Sequence, residues 1–362
     1  MKNTPLFRSF YLAVLLFTST FVFTSCDSSD TEEPFSLSGK GVFIVNEGNF
    51  GTPNGSVSFY HKASSHFEND IFSKNNDDQL LGDVVQSMTL FEDHAYIVAN
   101  NSNKIEVVEK QTFKSVGTIQ GLKSPRYFAA LNHNKGYVTE WVAFGGNGRV
   151  SVINLETNTV IKTIPVGAMP EQLILANGKL YVANSGGNTV SVINTATDVV
   201  ENTFETPDSP SEFVQDKNNH IWVLCSGKVV YTDDWSAIDY TKTTPGALAK
   251  LNTTANAIET TYTFPSNQSI PKNLSVNGAG DKLYYTYLGK TYSQAVTATQ
   301  LTSTVVLGRS FYGMEVDPET GNIYGSDNNN FSSDGTVFIY SPTGTKLQEF
   351  KAGIGPNGFV FN

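Results

Sequence analysis

Residues 170–204 read PEQLILANGKLYVANSGGNTVSVINTATDVVENTF, and this stretch decides the fold. It contains four short apolar runs, and the last three are rich in Val, Ile, Tyr and Thr, which β-strands favour. Turn-forming residues separate the runs at 177–178, 185–188 and 195–198. Because one small sheet cannot bury both of its faces alone, the stretch predicts one unit of a repeated structure.

The start of this unit, a proline with two variable residues before an apolar strand, recurs along the chain. Full copies begin at Pro125, Pro170, Pro210, Pro271 and Pro356, and degenerate copies begin at Val85 and Phe311. The successive intervals are 40, 45, 40, 61, 40 and 45 residues. A period near 40 with four strands per unit is typical of a β-propeller. The sequence therefore predicts an all-β, seven-bladed propeller of four-stranded blades over residues 40–362, with a repetitive sandwich or a β-solenoid as the alternative.

The first blade lacks a first strand of its own. Residues 42–46, 56–60 and 66–72 are predicted as its second, third and fourth strands, and 359–362 is predicted to supply the missing one. Pairing the two chain ends in one blade would close the ring and remove its open edges.

The N-terminal residues 1–25 have the pattern of a signal peptide. Lys2 and Arg8 precede an apolar run over 11–23, which is too short for a confident membrane span. Cys26 follows at once, which favours a lipoprotein signal with lipidation of Cys26 over ordinary secretory cleavage. Residues 26–39 are predicted to be this lipidated cysteine and an acidic, flexible tether.

The net charge argues against a nucleic-acid partner, and the cysteine content excludes a disulfide within the folded domain. The formal net charge is −10, and removing the basic residues Lys2 and Arg8 with residues 1–25 takes it to −12. Nucleic acid is therefore not an expected partner, since phosphate binding requires a basic face. After Cys26 only Cys225 remains, so no disulfide can form within the folded domain, and Cys225 is expected to be buried.

Strand direction divides the connections between two faces. We call "loop face" the side that carries the proline entries and the connections between second and third strands, and "turn face" the opposite side. The loop face holds the long connections, at 47–55, 140–148, 226–247, 286–295 and 326–335. All five histidines fall near turn-face turns, so a histidine general base on the loop face is not expected.

The predicted ligand site is the loop face around the channel mouth, because binding residues lie on loops held by a rigid scaffold. Its candidates have hydrogen-bonding or planar aromatic side chains that would suit a bulky ligand with an apolar body and many amides or hydroxyls. They are Gln86, Asn101, Arg126, Tyr127, Trp141, Glu171, Gln172, Glu212, Trp235, Lys272, Asn273, Tyr287, Tyr312 and Asn357. Trp235, in the longest loop, is predicted as a central anchor.

One group of residues in this pattern could support catalysis. Glu171 and Glu212, with Asn273 and Asn357, could ligate a hard cation, and propeller lactonases use a cluster of this kind. The preferred interpretation is that these groups cap strand ends and bond water or a polar ligand. We therefore expect no catalytic residue, no metal site, no catalytic cofactor and no enzyme activity, with a metal-dependent lactonase-like hydrolase as the alternative.

The strand sequence at 181–184, YVAN, and its counterparts resemble the YVTN-type propeller repeat family. Residues 45–51, 81–88, 100–105 and 353–356 resemble surface lipoproteins of the BtuG-like group of Bacteroidota. This resemblance implies a seven-bladed propeller, exposed at the cell surface and lipid-anchored in the outer membrane. It also implies that the protein captures cobalamin or a related corrinoid and delivers it to a TonB-dependent outer-membrane transporter. A structural or adhesive surface propeller remains a third interpretation.

Overall fold

Seven four-stranded antiparallel sheets form a ring, in a computed structural model that describes residue 37 and residues 39–362. The described residues contain strands, one short α-helix and one 3-10 turn. The predicted all-β, seven-bladed propeller is therefore confirmed. Residues 1–25, Cys26 and most of the predicted tether lie outside the described residues.

The elements follow one another in chain order. They are β1 (Gly41–Asn46), β2 (Ser56–His61), β3 (His66–Glu68), α1 (Ile71–Asn75), β4 (Val85–Phe91), β5 (His94–Ala99), β6 (Lys104–Glu109), β7 (Ser115–Ile119), β8 (Pro125–Asn132), β9 (Lys135–Glu140), β10 (Asn147–Asn154), β11 (Thr159–Ala168), β12 (Pro170–Ala176), β13 (Lys179–Asn184), β14 (Thr189–Asn194), β15 (Val199–Glu205), β16 (Pro210–Gln215), β17 (Ile221–Cys225), β18 (Ala247–Asn252), β19 (Ala257–Thr263), β20 (Lys272–Val276), β21 (Lys282–Tyr287), β22 (Lys290–Ala295), β23 (Val305–Leu307), β24 (Met314–Val316), β25 (Ile323–Asp327), the 3-10 turn η1 (Asn329–Phe331), β26 (Thr336–Tyr340), β27 (Lys346–Lys351) and β28 (Pro356–Phe361).

Blade 1 consists of β28, β1, β2 and β3, and blades 2 to 7 each take the next four strands in order. The first strands of neighbouring blades contact one another all the way round, from β4 through β28 and back to β4. These seven strands therefore surround the central channel, and the fourth strands lie at the rim.

Both chain ends close the ring in blade 1, as predicted. The C-terminal β28 pairs antiparallel with β1, placing Phe361 opposite Val42 and Gly358 opposite Val45. An ion pair between the partly exposed Lys62 and the buried Asp317 joins blade 1 to blade 7, with 2.8 Å between Lys62 Nζ and Asp317 Oδ2. The first blade is thus held by strand pairing and by a charge contact.

The fourth strand of blade 1 is shorter than the predicted 66–72. Only His66–Glu68 forms a strand, and Ile71–Asn75 forms a helix. Asp70 has a left-handed φ of 56°, which ends the extended backbone and turns the chain inward. Ile71 and Phe72 are then buried, so burial of two large apolar side chains takes precedence over continued pairing.

Apolar side chains from adjacent blades pack together between the sheets. One such cluster joins Tyr181 and Val190 of blade 4 to Phe213 and Val223 of blade 5. Cys225 belongs to the same cluster, fully buried as predicted, and burial raises the pKa of its thiol. Since the middle strands are covered on both faces, their sequences are almost continuously apolar.

The packed domain includes residues from the end of the predicted tether. Leu37 is buried, and the Gly39 carbonyl accepts a hydrogen bond of 3.0 Å from Asn362 Nδ2. Within the described part of the chain, no helix has the length and apolar character needed to cross a membrane.

The connection over blade 6 differs from the predicted long loop at 286–295. Strands β21 and β22 pair through most of that range and are joined by Leu288 and Gly289 alone. Both residues have positive φ, 47° and 69°, as a tight two-residue hairpin requires. The loop-face connection of this blade therefore projects little from the sheet.

Candidate functional site

A cavity of about 460 Å³ occupies the central channel at its loop-face end. Nine of the predicted site residues line it, together with Glu47 and Glu315, which the sequence interpretation did not select. The nine are Gln86, Arg126, Tyr127, Gln172, Glu212, Lys272, Asn273, Tyr312 and Asn357. The repeated proline entries place them there, because each entry begins a channel-lining strand at the same height.

Side chains of these entries bridge the inner strands of adjacent blades, which are not paired through their backbones. Gln172 Oε1 accepts a bond of 2.8 Å from the backbone N–H of Phe213 in the next blade. Glu212 accepts bonds from the backbone N–H groups of Asn273, at 3.1 Å, and Leu274, at 2.5 Å. Since buried N–H groups need partners, these two side chains also hold the ring together.

Arg126 is the centre of the charged side of the cavity. Its Nη2 lies 3.0 Å from Glu171 Oε1, and its Nη1 donates to Gln86 Oε1 at 2.5 Å. The guanidinium carbon lies 4.3 Å from the ring centre of Trp141, whose Nε1 donates to the Pro170 carbonyl at 3.1 Å. Glu171 and Trp141 therefore do not line the cavity but support Arg126 from behind.

The pKa values of this pair reflect burial and mutual attraction. Burial raises the pKa of Glu171, and the nearby Arg126 offsets only part of that rise. Burial alone would lower the pKa of Arg126, but Glu171, together with Tyr127 and Glu47, outweighs it and the net shift is upward. Arg126 is thus a fixed cation at the channel mouth.

Glu47 is a cavity residue that the repeat pattern did not reveal. It accepts bonds from the Tyr312 hydroxyl at 2.7 Å and from Asn357 Nδ2 at 3.0 Å, and burial raises its pKa. It lies in the connection after β1, outside the repeated proline entries. Its place in the segment 45–51, directly after a buried strand, was the available signal.

Glu212 and Glu315 are acids that titrate near neutral pH in the same cavity. Burial raises the pKa of Glu212 to about 7 and that of Glu315 to about 8. Glu315 stands at the fifth position of its repeat, where every other copy has an uncharged residue, and this contrast could have identified it. Near neutral pH these carboxyls can therefore donate as well as accept hydrogen bonds.

Besides Glu171 and Trp141, three other predicted residues do not line the cavity. Asn101 Nδ2 donates to Asp83 Oδ2 at 2.5 Å. Tyr287 is buried, and its hydroxyl bonds the backbone of Ser266. Trp235 is 77% exposed and stacks on Tyr231 with 5.5 Å between ring centres, so it projects from the long connection of blade 5.

Exposed large apolar side chains are distributed unequally between the faces. Eight lie in loop-face connections: Phe50, Leu80, Phe144, Tyr231, Trp235, Tyr240, Ile270 and Leu288. The other five of the described residues lie on rim strands: Val116, Ile161, Val199, Val305 and Leu347. Among the described residues, exposed large apolar side chains in connections are therefore confined to the loop face.

The carboxylates proposed for a cation are engaged in other contacts. Glu171 bonds Arg126, and Glu212 bonds two backbone N–H groups. Within residues 39–362 and residue 37, no group of three or more His, Cys, Asp and Glu side chains is placed to hold a metal ion. The histidines lie at turn-face ends of strands, as predicted; His94, for example, begins β5.

The family described as a domain of unknown function (DUF5074) matches residues 40–354. The chain belongs to this family. Solved structures similar to this DUF5074 chain include the periplasmic gluconolactonase of Pseudomonas aeruginosa, with 12% identity, coverage of 89% of this chain and 99% of that chain, and a TM-score of 0.65. A functionally unknown protein from Desulfotomaculum acetoxidans has 14% identity, coverage of 89% and 99%, and a TM-score of 0.66. A putative 6-phosphogluconolactonase from Bacteroides fragilis has 12% identity, coverage of 91% and 100%, and a TM-score of 0.61.

Identities this low show that the DUF5074 chain shares the propeller fold with these proteins, and no more. No sequence among the curated proteins matches the chain.

Proposed function

We propose that this DUF5074 protein captures a bulky small molecule on its loop face, and that the molecule is cobalamin or a related corrinoid. One observation carries the proposal: the channel cavity and all eight exposed apolar loop residues lie on the same face. A ligand with an apolar body and polar substituents would contact both at once. A corrinoid is such a ligand, because amide side chains surround its macrocycle.

The cavity suits the substituents rather than the whole ligand. Its volume of about 460 Å³ is in the range of pockets for much smaller molecules. Arg126 and Lys272 supply donors, Gln86 and Asn357 supply amides, and Asn357 Oδ1 is a buried acceptor without a partner among the described residues. The corrinoid body would then lie over the mouth, against the loop-face apolar residues, with its amides directed into the channel.

The proposal places the protein outside the cell. The signal pattern of residues 1–25, Cys26 and the acidic residues after it support export, lipidation and anchoring in the outer membrane. From the cell surface the protein would deliver its ligand to a TonB-dependent transporter. The negative net charge supports the absence of a nucleic-acid partner.

Calorimetric titration of the purified protein with cyanocobalamin tests this function. We expect saturable binding of one molecule per chain. Lys272→Ala should weaken it, since Lys272 is an exposed donor of the cavity, whereas His133→Ala on the turn face should leave the affinity unchanged. Absence of saturable binding by the wild-type protein would contradict the proposal.

The alternative, a lactonase-like hydrolase, is favoured by one feature. Glu212 and Glu315 have pKa values near neutrality in one cavity, which is typical of general acids and bases. A lactone-hydrolysis assay separates the alternatives. Lactone hydrolysis by the wild-type protein that is lost in both Glu212→Gln and Glu315→Gln would support the lactonase-like hydrolase. If the protein neither hydrolyses lactones nor binds a corrinoid, the structural or adhesive propeller is the remaining interpretation.

A further inference from the structure

Two further cavities extend from the central one toward the rim of blade 6. The first, about 380 Å³, shares Lys272 with the central cavity and is also lined by Gln268, Ile270, Leu288 and Ser310. The second, about 400 Å³, shares Tyr287 and Leu288 with the first. Because each cavity shares lining residues with the next, the three are adjacent in a row from the channel to the rim, and we call this row the trough.

The trough lies where the loop face is lowest. The connection between second and third strands over blade 6 is residues 288–289 alone, the shortest of the seven. On its two sides, blade 5 has residues 226–246 and blade 7 has residues 328–335 in the same connection. A ligand seated over the channel therefore has an open radial direction over blade 6, between two longer loops.

The chemistry of the trough changes along its length. The inner end has the exposed Lys272 and the amide of Gln268, and the outer end is lined by Phe264, Tyr285 and Tyr292. Lys290 lies at the outer end; neither it nor Lys272 has a carboxylate within ion-pair distance among the described residues, although Lys272 attracts Glu212 at longer range. In an acidic protein, two unpaired lysines at the ends of one trough are complementary to an anionic group between them.

We propose that the ligand has two parts: a compact body over the channel and an anionic arm with a planar end, which lies in the trough over blade 6. This inference rests on the proposed function and narrows its ligand class. It predicts preference for a complete corrinoid, whose nucleotide arm contains a phosphodiester and an aromatic base, over cobinamide, which lacks that nucleotide.

Competition and direct titration with cyanocobalamin and dicyanocobinamide test the inference. Ser310 is exposed in the trough, so Ser310→Trp should fill it and weaken cobalamin binding about tenfold, or about 1.4 kcal/mol, while cobinamide affinity stays unchanged. The matched control is Ser333→Trp, which adds the same side chain at an exposed position of the blade 7 loop. It should leave both affinities unchanged.

A second variant avoids any effect of the added tryptophan on folding. Lys290→Ala should weaken cobalamin binding about threefold, as for one exposed charge pair, and Lys290→Arg should restore it. Equal wild-type affinity for both corrinoids would contradict binding of an anionic arm in the trough, and so would equal losses of affinity for both in Ser310→Trp. Neither result would contradict corrinoid capture itself. No binding of either corrinoid by the wild-type protein would contradict the capture function and the arm together.

Discussion

The loop face and the turn face are built from the same strands, yet only one has the features of a binding surface. On the turn face, the connections within blades are at most nine residues long, and most are short turns such as 177–178 and 195–198. On the loop face, the connections between second and third strands vary from residues 288–289 to residues 226–246. Repetition thus builds the scaffold, and departures from repetition give one face its cavity, its exposed aromatics and its trough.

The largest effect is expected from opening the ring that holds both faces. Deleting Gly358–Asn362 removes most of β28 and with it Phe359, which is buried against Val42 and Tyr324. The exposed edge of β1 and the lost core should cause aggregation or lower the melting temperature by on the order of 10 °C or more. Calorimetry measures this, with deletion of Asn362 alone as the control. Equal melting temperatures for the longer deletion and the full chain would contradict the closure.

A smaller loss should follow from breaking the ion pair behind the cavity. Glu171→Ala leaves Arg126 largely buried without its carboxylate, which should lower the free energy of unfolding by about 2–3 kcal/mol. The control is Glu259→Ala, which breaks the more exposed pair with Lys250 on the outer strands of blade 5 and should have little effect. Urea unfolding measures both. Equal losses of unfolding free energy in the two variants would show that the Arg126–Glu171 pair stabilises the fold no more than an exposed pair does.

Trp235→Ala tests the contribution of the longest loop. Because Trp235 is 77% exposed, the melting temperature should stay unchanged. If the residue is a central anchor for the corrinoid, affinity should fall by about 2 kcal/mol, which calorimetric titration detects. Unchanged affinity would restrict the contact surface to the channel mouth and the remaining loops, and a loss of stability would assign Trp235 to the fold instead.

The last prediction concerns pH. Glu315, with a pKa near 8 in the folded protein and an ordinary acid pKa when unfolded, binds more protons in the folded state between these values. Its contribution to the free energy of unfolding should therefore fall as pH rises from about 5 to 8. In Glu315→Gln this part of the decline should be absent. Urea unfolding across that range tests the prediction, and a variant curve parallel to the wild type would contradict the raised pKa.

The sequence predicted the parts of the molecule that repeat. The spacing of Pro125, Pro170 and the other entries placed nine candidate residues around one cavity, because equivalent repeat positions lie at equivalent heights on the channel. The same register predicted the C-terminal strand of blade 1, which pairs with β1 as expected.

Most of what the sequence interpretation missed lies outside the repeat, although Glu315 stands at a repeat position. Glu47 reaches the channel from a connection that has no counterpart at the proline entries. The hairpin over blade 6 turns at Leu288 and Gly289, and Leu288 has a φ of 47° although leucine rarely adopts positive φ, so Gly289 was the only turn signal there. Trp141 and Tyr287 have aromatic side chains that serve both cores and interfaces, and only their contacts with Arg126 and Ser266 distinguish the roles.

Hydrogen–deuterium exchange with and without saturating cyanocobalamin compares the two faces most directly. Bound ligand should slow exchange of backbone amides in the loop-face connections 47–55, 141–146 and 226–246. Turn-face segments 155–158 and 195–198 should exchange at the same rate in both samples. Slowed exchange confined to those turn-face segments, or no change on either face, would contradict capture on the loop face.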